Sequence, residues 1–391
     1  MKKEIKMCVG CGLCETVFSG NAHMMLNDEG FMRPNFSSKY DKMILNSICP
    51  LNTHSNEYSA DIWGSFQSVF LGSSTDIIVR KDASSGGIIT QILLYLLETG
   101  RVDAVIQIGA SKTDPLKNEL FISQTKEEVI HCCGSRYSPS APLFRIDEIL
   151  KGEKVFAFVG KPCDVRALKS YIKENPQLNE KIYCALSFFC AGVPSYKGTD
   201  KLINQLGFAK EDVTHFRYRG NGWPGFAEAK INTGESRKMT YNDSWGRILG
   251  RQVQTYCRWC ADGIGEFADI ACGDAWYLDK NNQPDFGERE GRNVIFARSN
   301  LGAEILSDMN AKSKITLDDF NRRIDTLRYM QPYQYHRRAN MLGKIIALKL
   351  LFIKTPRYRL KILFRWSLYS TFGTQIKVFT GTILRKKHGK L

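Results

Sequence analysis

Cys8, Cys11 and Cys14 stand at two-residue spacing, and a fourth cysteine, Cys49, is followed by Pro50. Three thiolates so spaced, closed by a Cys-Pro pair, form the ligand set that holds a [4Fe–4S] cube and carries single electrons. Gly10 and Gly12 suit that chemistry, because a backbone wrapping a cube closely needs residues without a Cβ penalty at positive φ. Paired cysteines also mark zinc knuckles, which more usually combine two separated CxxC pairs. No second CxxC lies between Cys14 and Cys49, so the pattern is a single-cluster, ferredoxin-like module with an insertion.

A second set follows. Cys257 and Cys260 have ligand spacing, and Cys163 and Cys190 each come just after a strongly apolar run. If neighbouring strands bring these four together, they make a second [4Fe–4S] set. Zinc on the same four, or unliganded and buried Cys163 or Cys190, are the alternatives. Cys184 alternates inside a strand pattern and reads as core, while Cys132, Cys133 and Cys272 are left without a role.

The elements that must position these groups read as an α/β layer. Strand patterns cover 102–108, 154–160 and 181–190, with helical patterns at 164–174 and 196–206 between and after them. Buried-type strands alternating with helices indicate parallel pairing, and sheets of that kind place their sites past the C-terminal ends of strands. Residues 213–218 and 226–231 read as a strand pair around the turn 219–225. A strand-like stretch at 268–276, another at 294–298 and a helix at 301–310 complete the body. The expected fold class is α+β or α/β. It comprises a ferredoxin-like iron–sulfur module (1–60), a mixed α/β body (61–325) and a basic helical tail (326–391).

Ser84, Ser85, Gly86 and Gly87 precede an apolar set at helical spacing that ends at Gly100. Such a helix start exposes unpaired N–H groups to a phosphate, but it is equally a plain serine cap with flexible glycines. For a proton donor, the candidates are Lys161, Asp274 and His215. His215 sits on a strand pattern and reads as a surface or structural residue. Asp274, after a buried-type strand, is either a catalytic acid or a turn aspartate.

The chain has 391 residues and a net charge of +15, with 55 Lys/Arg against 40 Asp/Glu. The excess is local, since residues 326–391 contain 15 of the basic residues and no acid. Arg357, Lys361 and Arg365 recur every four residues, with Leu360, Leu363 and Trp366 expected toward the other side of a helix. Residues 340–391 therefore predict attachment to an anionic membrane surface. Nucleic acid is disfavoured, because Phe352, Phe364, Trp366 and Phe379 are threaded among the charges. The alternative is a helical pair covering the body's own apolar surface. No signal peptide precedes Cys8 and no apolar run has spanning length, so the expected location is cytoplasmic, peripheral on the inner face of the membrane. Cysteines in such a chain are metal ligands or free thiols rather than disulfides.

Taken in order, these motifs resemble the family of coenzyme F420 hydrogenase/dehydrogenase beta subunits, which includes 7-hydroxymethyl chlorophyll a reductase. The resemblance rests on the ferredoxin-like N-terminus, Ser84 to Gly87, Gly134 to Tyr137, Gly160 to Cys163, Phe189-Cys190, Cys257 to Cys260, and Ala268 to Ile270 with Gly273-Asp274. It implies an FAD-dependent oxidoreductase with iron–sulfur clusters beside the flavin, and it favours the phosphate reading of Ser84 to Gly87. Arg136 and Tyr137 would then lie near the flavin, and Lys161 would face it. The bacterial members that this chain resembles more accompany surface-polysaccharide synthesis. The implied route runs from a donor such as reduced ferredoxin through two [4Fe–4S] clusters to FAD and a small-molecule substrate. A second reading is an electron-delivery module that serves a partner enzyme, and a third is a zinc-stabilised binding protein without redox chemistry.

Overall fold

The computed structural model describes residues 7–52 and 58–388. Near the N-terminus, β1 (Ala22–Leu26) and β2 (Met32–Phe36) form an antiparallel hairpin that the sequence pattern did not disclose. Helix Lys42–Ile48 follows, capped by the Asp41 side chain, and delivers Cys49 at its C-cap.

The body is built on one eight-stranded sheet. Its strands are β3 (Ser68–Ser74), β4 (Ala104–Ala110), β5 (Asn118–Ser123), β6 (Phe156–Gly160) and β7 (Ile182–Phe188), then β11 (Ile270–Asp274), β14 (Asn293–Ala297) and β15 (Ile315–Asp319). The order is β15-β3-β14-β11-β7-β6-β4-β5. The four central strands β4, β6, β7 and β11 pair in parallel, whereas β5, β14 and β15 run antiparallel to their neighbours. The sheet is therefore mixed, with the parallel centre that the apolar runs predicted and antiparallel flanks that they did not.

Each face of the centre buries its own core. Along β4 and β6, Ala104, Ile106, Phe156 and Phe158 point to one face, which the N-terminal module and helix Pro162–Glu174 cover. Val105, Ala157, Leu186 and Ile295 point to the other, under helices Ile88–Glu98 and Asn300–Ala311. This alternation fixes the register, because a one-residue slip would exchange the two faces. It also places the C-terminal ends of β4, β6, β7 and β11 along one edge.

Beside that edge lies a three-stranded antiparallel sheet, β8 (Val213–Arg217), β9 (Phe226–Ile231) and β10 (Ser236–Thr240), with β9 in the centre. The third of these was not foreseen. A two-residue ladder of β12 (Tyr277–Leu278) and β13 (Pro284–Asp285) completes the strands among the described residues.

The segment after residue 326 packs on the body. Arg338 Nη2 lies 2.5 Å from Glu266 Oε2, both buried, and helix Met341–Leu350 crosses helix Phe372–Lys387 at Gly343, whose amide donates to Gln375 Oε1 at 3.0 Å. In helix Leu360–Ser367, Leu363 and Trp366 are buried beside Tyr58 and Tyr358, and Trp366 Nε1 donates to Ser59 O at 3.0 Å. Leu360 corrects the sequence expectation. It is exposed next to Lys361 instead of sharing the side of Leu363 and Trp366.

Candidate functional site: a cavity between two sets of thiols

A cavity of about 540 Å³ opens at the C-terminal edge of the parallel strands. That is a normal size for a small-molecule or cofactor site, at the position α/β sheets favour. Gly160 and Lys161 at the end of β6, Phe188 to Cys190 after β7, and Gly273-Asp274 in β11 form its floor.

The N-terminal thiols lie near enough to feel one another's charge. Cys14 senses the charges of Cys8 and Cys49, and Cys11 those of Cys14 and Cys8. Burial pushes the thiols of Cys11, Cys14 and Cys49 up, that of Cys49 to about 12, which disfavours their free thiolates. The glycines do what the spacing asked. Gly10 and Gly12 have φ of 74° and 95°, and a Cβ on Gly12 would stand 2.7 Å from the Phe144 amide nitrogen. The Gly10 amide donates to Cys8 Sγ at 3.3 Å.

The second set is electrostatically coupled as well. Cys163 feels Cys190 and Cys260, and Cys190 feels Cys257 and Cys260. Burial pushes Cys190 up to about 12. The Val193 amide donates to Cys257 Sγ at 3.4 Å. All-sulfur donor sets that receive backbone N–H bonds fit iron–sulfur clusters. Among the described residues, no group of three or more His, Cys, Asp or Glu is drawn up as a site for a single metal ion.

Between the two sets and the cavity stands a buried ion pair. Lys161 Nζ lies 2.6 Å from Asp164 Oδ2 and donates to Ser140 Oγ at 3.1 Å. Asp164 is an electrostatic neighbour of both Cys11 and Cys163. Burial works against the Lys161 charge, yet Asp164 and the thiols of Cys163 and Cys190 outweigh it and hold the ammonium above its ordinary value. Lys161 and Asp164 also line the cavity, as does Cys190.

Ser84, Ser85 and Gly87 line the cavity at the start of helix Ile88–Glu98, together with Ile89 and Thr90 of its first turn. The hydroxyls themselves serve the protein. Ser84 Oγ accepts from the Ser135 amide at 2.6 Å, and Ser85 Oγ donates to Arg292 O at 3.0 Å. What faces the cavity is thus the helix N-terminus itself. Gly86 is a packing glycine, since a Cβ there would sit 2.7 Å from Asn293 Oδ1. Arg136 and Tyr137 also line the cavity. Arg136 donates to Asn118 Oδ1 and to the carbonyls of Pro115 and Lys117, and Tyr137 packs on Trp245.

Asp274 is committed elsewhere. Its carboxylate accepts from Arg219 Nη1 and Nη2 at 2.9 and 2.8 Å, and from Trp223 Nε1 at 2.8 Å. Three charge-assisted or aromatic N–H donors hold the carboxylate in place at the cavity. His215 is exposed on β8 and does not line the cavity.

Several residues here had no sequence signal. Arg219 lies over the rings of Tyr241 and Trp276, Trp276 stacks on Trp223 at 4.8 Å, and Tyr241, Trp245, Trp276 and Phe286 wall one end of the cavity. Arg337 donates to the carbonyls of Cys190, at 2.7 Å, and Cys257. Cys132, Cys133 and Cys272 line the cavity and Cys184 is buried in the sheet. Only the density of aromatics around 219–245 and 276–286 hinted at a wall.

The site is thus a cavity at the edge of a mixed sheet, with cysteines lining it and beside it. Residues 69–146 match the model described as coenzyme F420 hydrogenase/dehydrogenase, beta subunit N-term, and residues 153–323 the model of its C terminus. The chain belongs to this family of beta subunits, one of oxidoreductases and their components. It is 22% identical over 355 residues to the coenzyme F420-dependent sulfite reductase of Methanocaldococcus jannaschii, covering 85% of this chain and 51% of that protein. The chain thus spans about half the length of that relative. Coenzyme F420 hydrogenase subunit beta of Methanococcus voltae is 24% identical, with 63% and 82% covered. The chloroplastic 7-hydroxymethyl chlorophyll a reductase of Oryza sativa subsp. japonica is 24% identical, with 77% and 60% covered. Among solved structures, a chain of the F420-reducing [NiFe] hydrogenase complex from Methanosarcina barkeri shares the fold, with TM-score 0.53, 20% identity, and 71% of this chain and 94% of that one covered.

Proposed function

We propose that the chain is an iron–sulfur flavoprotein oxidoreductase that takes single electrons from reduced ferredoxin or a similar donor and reduces or oxidises a small molecule. Cys8, Cys11, Cys14 and Cys49 would hold one [4Fe–4S] cluster, Cys163, Cys190, Cys257 and Cys260 a second, and the cavity FAD. When bound, the clusters carry one electron at a time, and the flavin collects two and passes them on as a hydride. The single observation that carries the reading is the turn from Lys161 to Asp164, which borders the cavity and both thiol sets at once.

The chain's own residues then divide the work. The first turn of helix Ile88–Glu98 offers N–H groups to a flavin phosphate, Lys161 fixes a positive charge at the cavity floor, and Arg219 with Asp274 sets the aromatic wall. Cys11, Cys257 and Cys260 are buried and the other five of these thiols partly so, which would limit water at the carriers. Anaerobic purification with iron, sulfide and flavin analysis tests this. About eight irons and one FAD per chain support it, whereas zinc without flavin overturns it.

A second reading is an electron-delivery module that feeds a partner enzyme. It draws support from relatives that are parts of larger enzymes, such as a component of the F(420)H(2) dehydrogenase of Methanosarcina mazei, 22% identical with 80% of this chain covered. Reoxidation of the photoreduced protein separates the two. Reoxidation by a metabolite alone favours the enzyme, for which we propose a substrate of surface-polysaccharide synthesis, and reoxidation only with a partner favours the delivery module.

A further inference from the structure

We propose that the C-terminal helices form a docking surface for an anionic lipid bilayer. The contact would be made by a ribbon of exposed apolar side chains, Leu350, Phe352, Leu360, Phe364, Leu368 and Phe372, set among lysines and arginines. This does not depend on the redox reading.

Phe352 is the clearest member. Helix Met341–Leu350 ends in a Schellman motif, with the Ile353 amide donating to Leu348 O at 2.9 Å and the Phe352 amide to Lys349 O at 3.0 Å. The left-handed position of that motif favours glycine, yet it holds Phe352 at φ 54°, with its side chain 98% exposed. The chain accepts a strained turn there and directs a large ring into solvent.

Helix Leu360–Ser367 continues the ribbon. Its inner side, Leu363 and Trp366, is fixed to the body, so its outer side is not waiting for the protein's own core. On that outer side Leu360, Phe364 and, one turn on, Leu368 lie in line, with Lys361 and Arg365 beside them. Phe372, 81% exposed, opens the last helix. Lys354, Arg357 and Arg359 are exposed in the connecting loop, and no acidic residue follows Asp325.

Charge decides the occupant. Protein interfaces are enriched in arginine but depleted in lysine, and they keep charge out of their cores. Interfacial segments that lie on membranes interleave Phe and Leu with Lys and Arg, because the rings enter the acyl boundary while the cations meet lipid phosphates. The ribbon has the second composition.

The test is flotation of the full-length, cofactor-loaded protein on phosphatidylcholine vesicles with and without about 30% phosphatidylglycerol. The protein should float with the anionic vesicles at low salt, and not with the neutral ones. Phe352→Gly should weaken flotation at least about threefold while raising the melting temperature, since glycine relieves the turn. Phe364→Ser with Phe372→Ser, both at exposed positions, should weaken it further with an unchanged circular dichroism spectrum. Absence of flotation on anionic vesicles, or flotation that all three substitutions leave intact, overturns the proposal. So does a wild-type dimer that the substitutions dissociate in the absence of any vesicle binding, which would assign the ribbon to a second copy.

Discussion

Lys161 Nζ and Asp164 Oδ2 lie 2.6 Å apart in the interior, and Asp164 is an electrostatic neighbour of one thiol from each set, Cys11 and Cys163. One turn of backbone therefore ties the N-terminal module, the inner thiols and the cavity into a single electrostatic unit.

Lys161→Met should break this unit. Removing one partner of a buried pair leaves the other uncompensated, which typically costs about 3–5 kcal/mol. Chemical denaturation should show a loss of that order, and Lys161→Met with Asp164→Leu together should recover part of it. A double variant no better than the single one would argue against a pairwise origin.

Substitution of the thiols should separate the two sets. Under the proposed function, Cys11→Ser and Cys257→Ser each remove about four of about eight irons, and flavin content changes little in the first. Equal loss of all iron in both would mean that the sets are not independent sites.

Asp274→Asn distinguishes positioning from proton transfer. Loss of the paired Arg219 contact should lower flavin retention and melting temperature, because a buried guanidinium loses its counter-charge. The pH profile of substrate-dependent reoxidation should keep its shape. Disappearance of one limb of the profile would restore Asp274 as an acid.

Under the proposed function, Arg337→Gln should lower the midpoint potential of one cluster by about tens of millivolts in a redox titration followed by electron paramagnetic resonance. The buried guanidinium stands by Cys190 and Cys257, and a positive charge there favours the reduced, more negative state. An unmoved potential with full iron content would assign Arg337 to packing alone.

Lys344 gives a pH signature. Burial, with Arg337 and Arg385 nearby, lowers its pKa to about 8. The unfolded chain then binds more protons than the folded one between about 8 and the ordinary lysine value near 10.4, so stability from this group rises with pH across that window. Below pH 8 the full penalty is present. Wild type should gain stability relative to Lys344→Met as pH rises from 8 to 10, and a difference independent of pH would contradict the assignment.

The parallel centre of the sheet was legible because β4, β6 and β7 are nearly continuous apolar runs, and each was placed within two residues of its observed start. The hairpin β1–β2 was not, since Pro34 and Asn35 break any alternation and pairing is decided by register across a turn. Residues with a motif, such as Cys257 and Lys161, could be singled out, and Lys161 lines the cavity. Those that act through distant partners could not. Arg219 meets Asp274 across 55 positions and Arg337 meets Cys190 across 147, and no local pattern records such pairs.

The bond from Arg338 to Glu266 has a consequence for biosynthesis. Arg337 and Arg338 close over the carbonyls of Cys190, Cys257 and Ala261, so this cover forms only after ribosomal synthesis has passed residue 338. A nascent chain arrested before that point leaves the segments that carry Cys190 and Cys257 without their cationic cover.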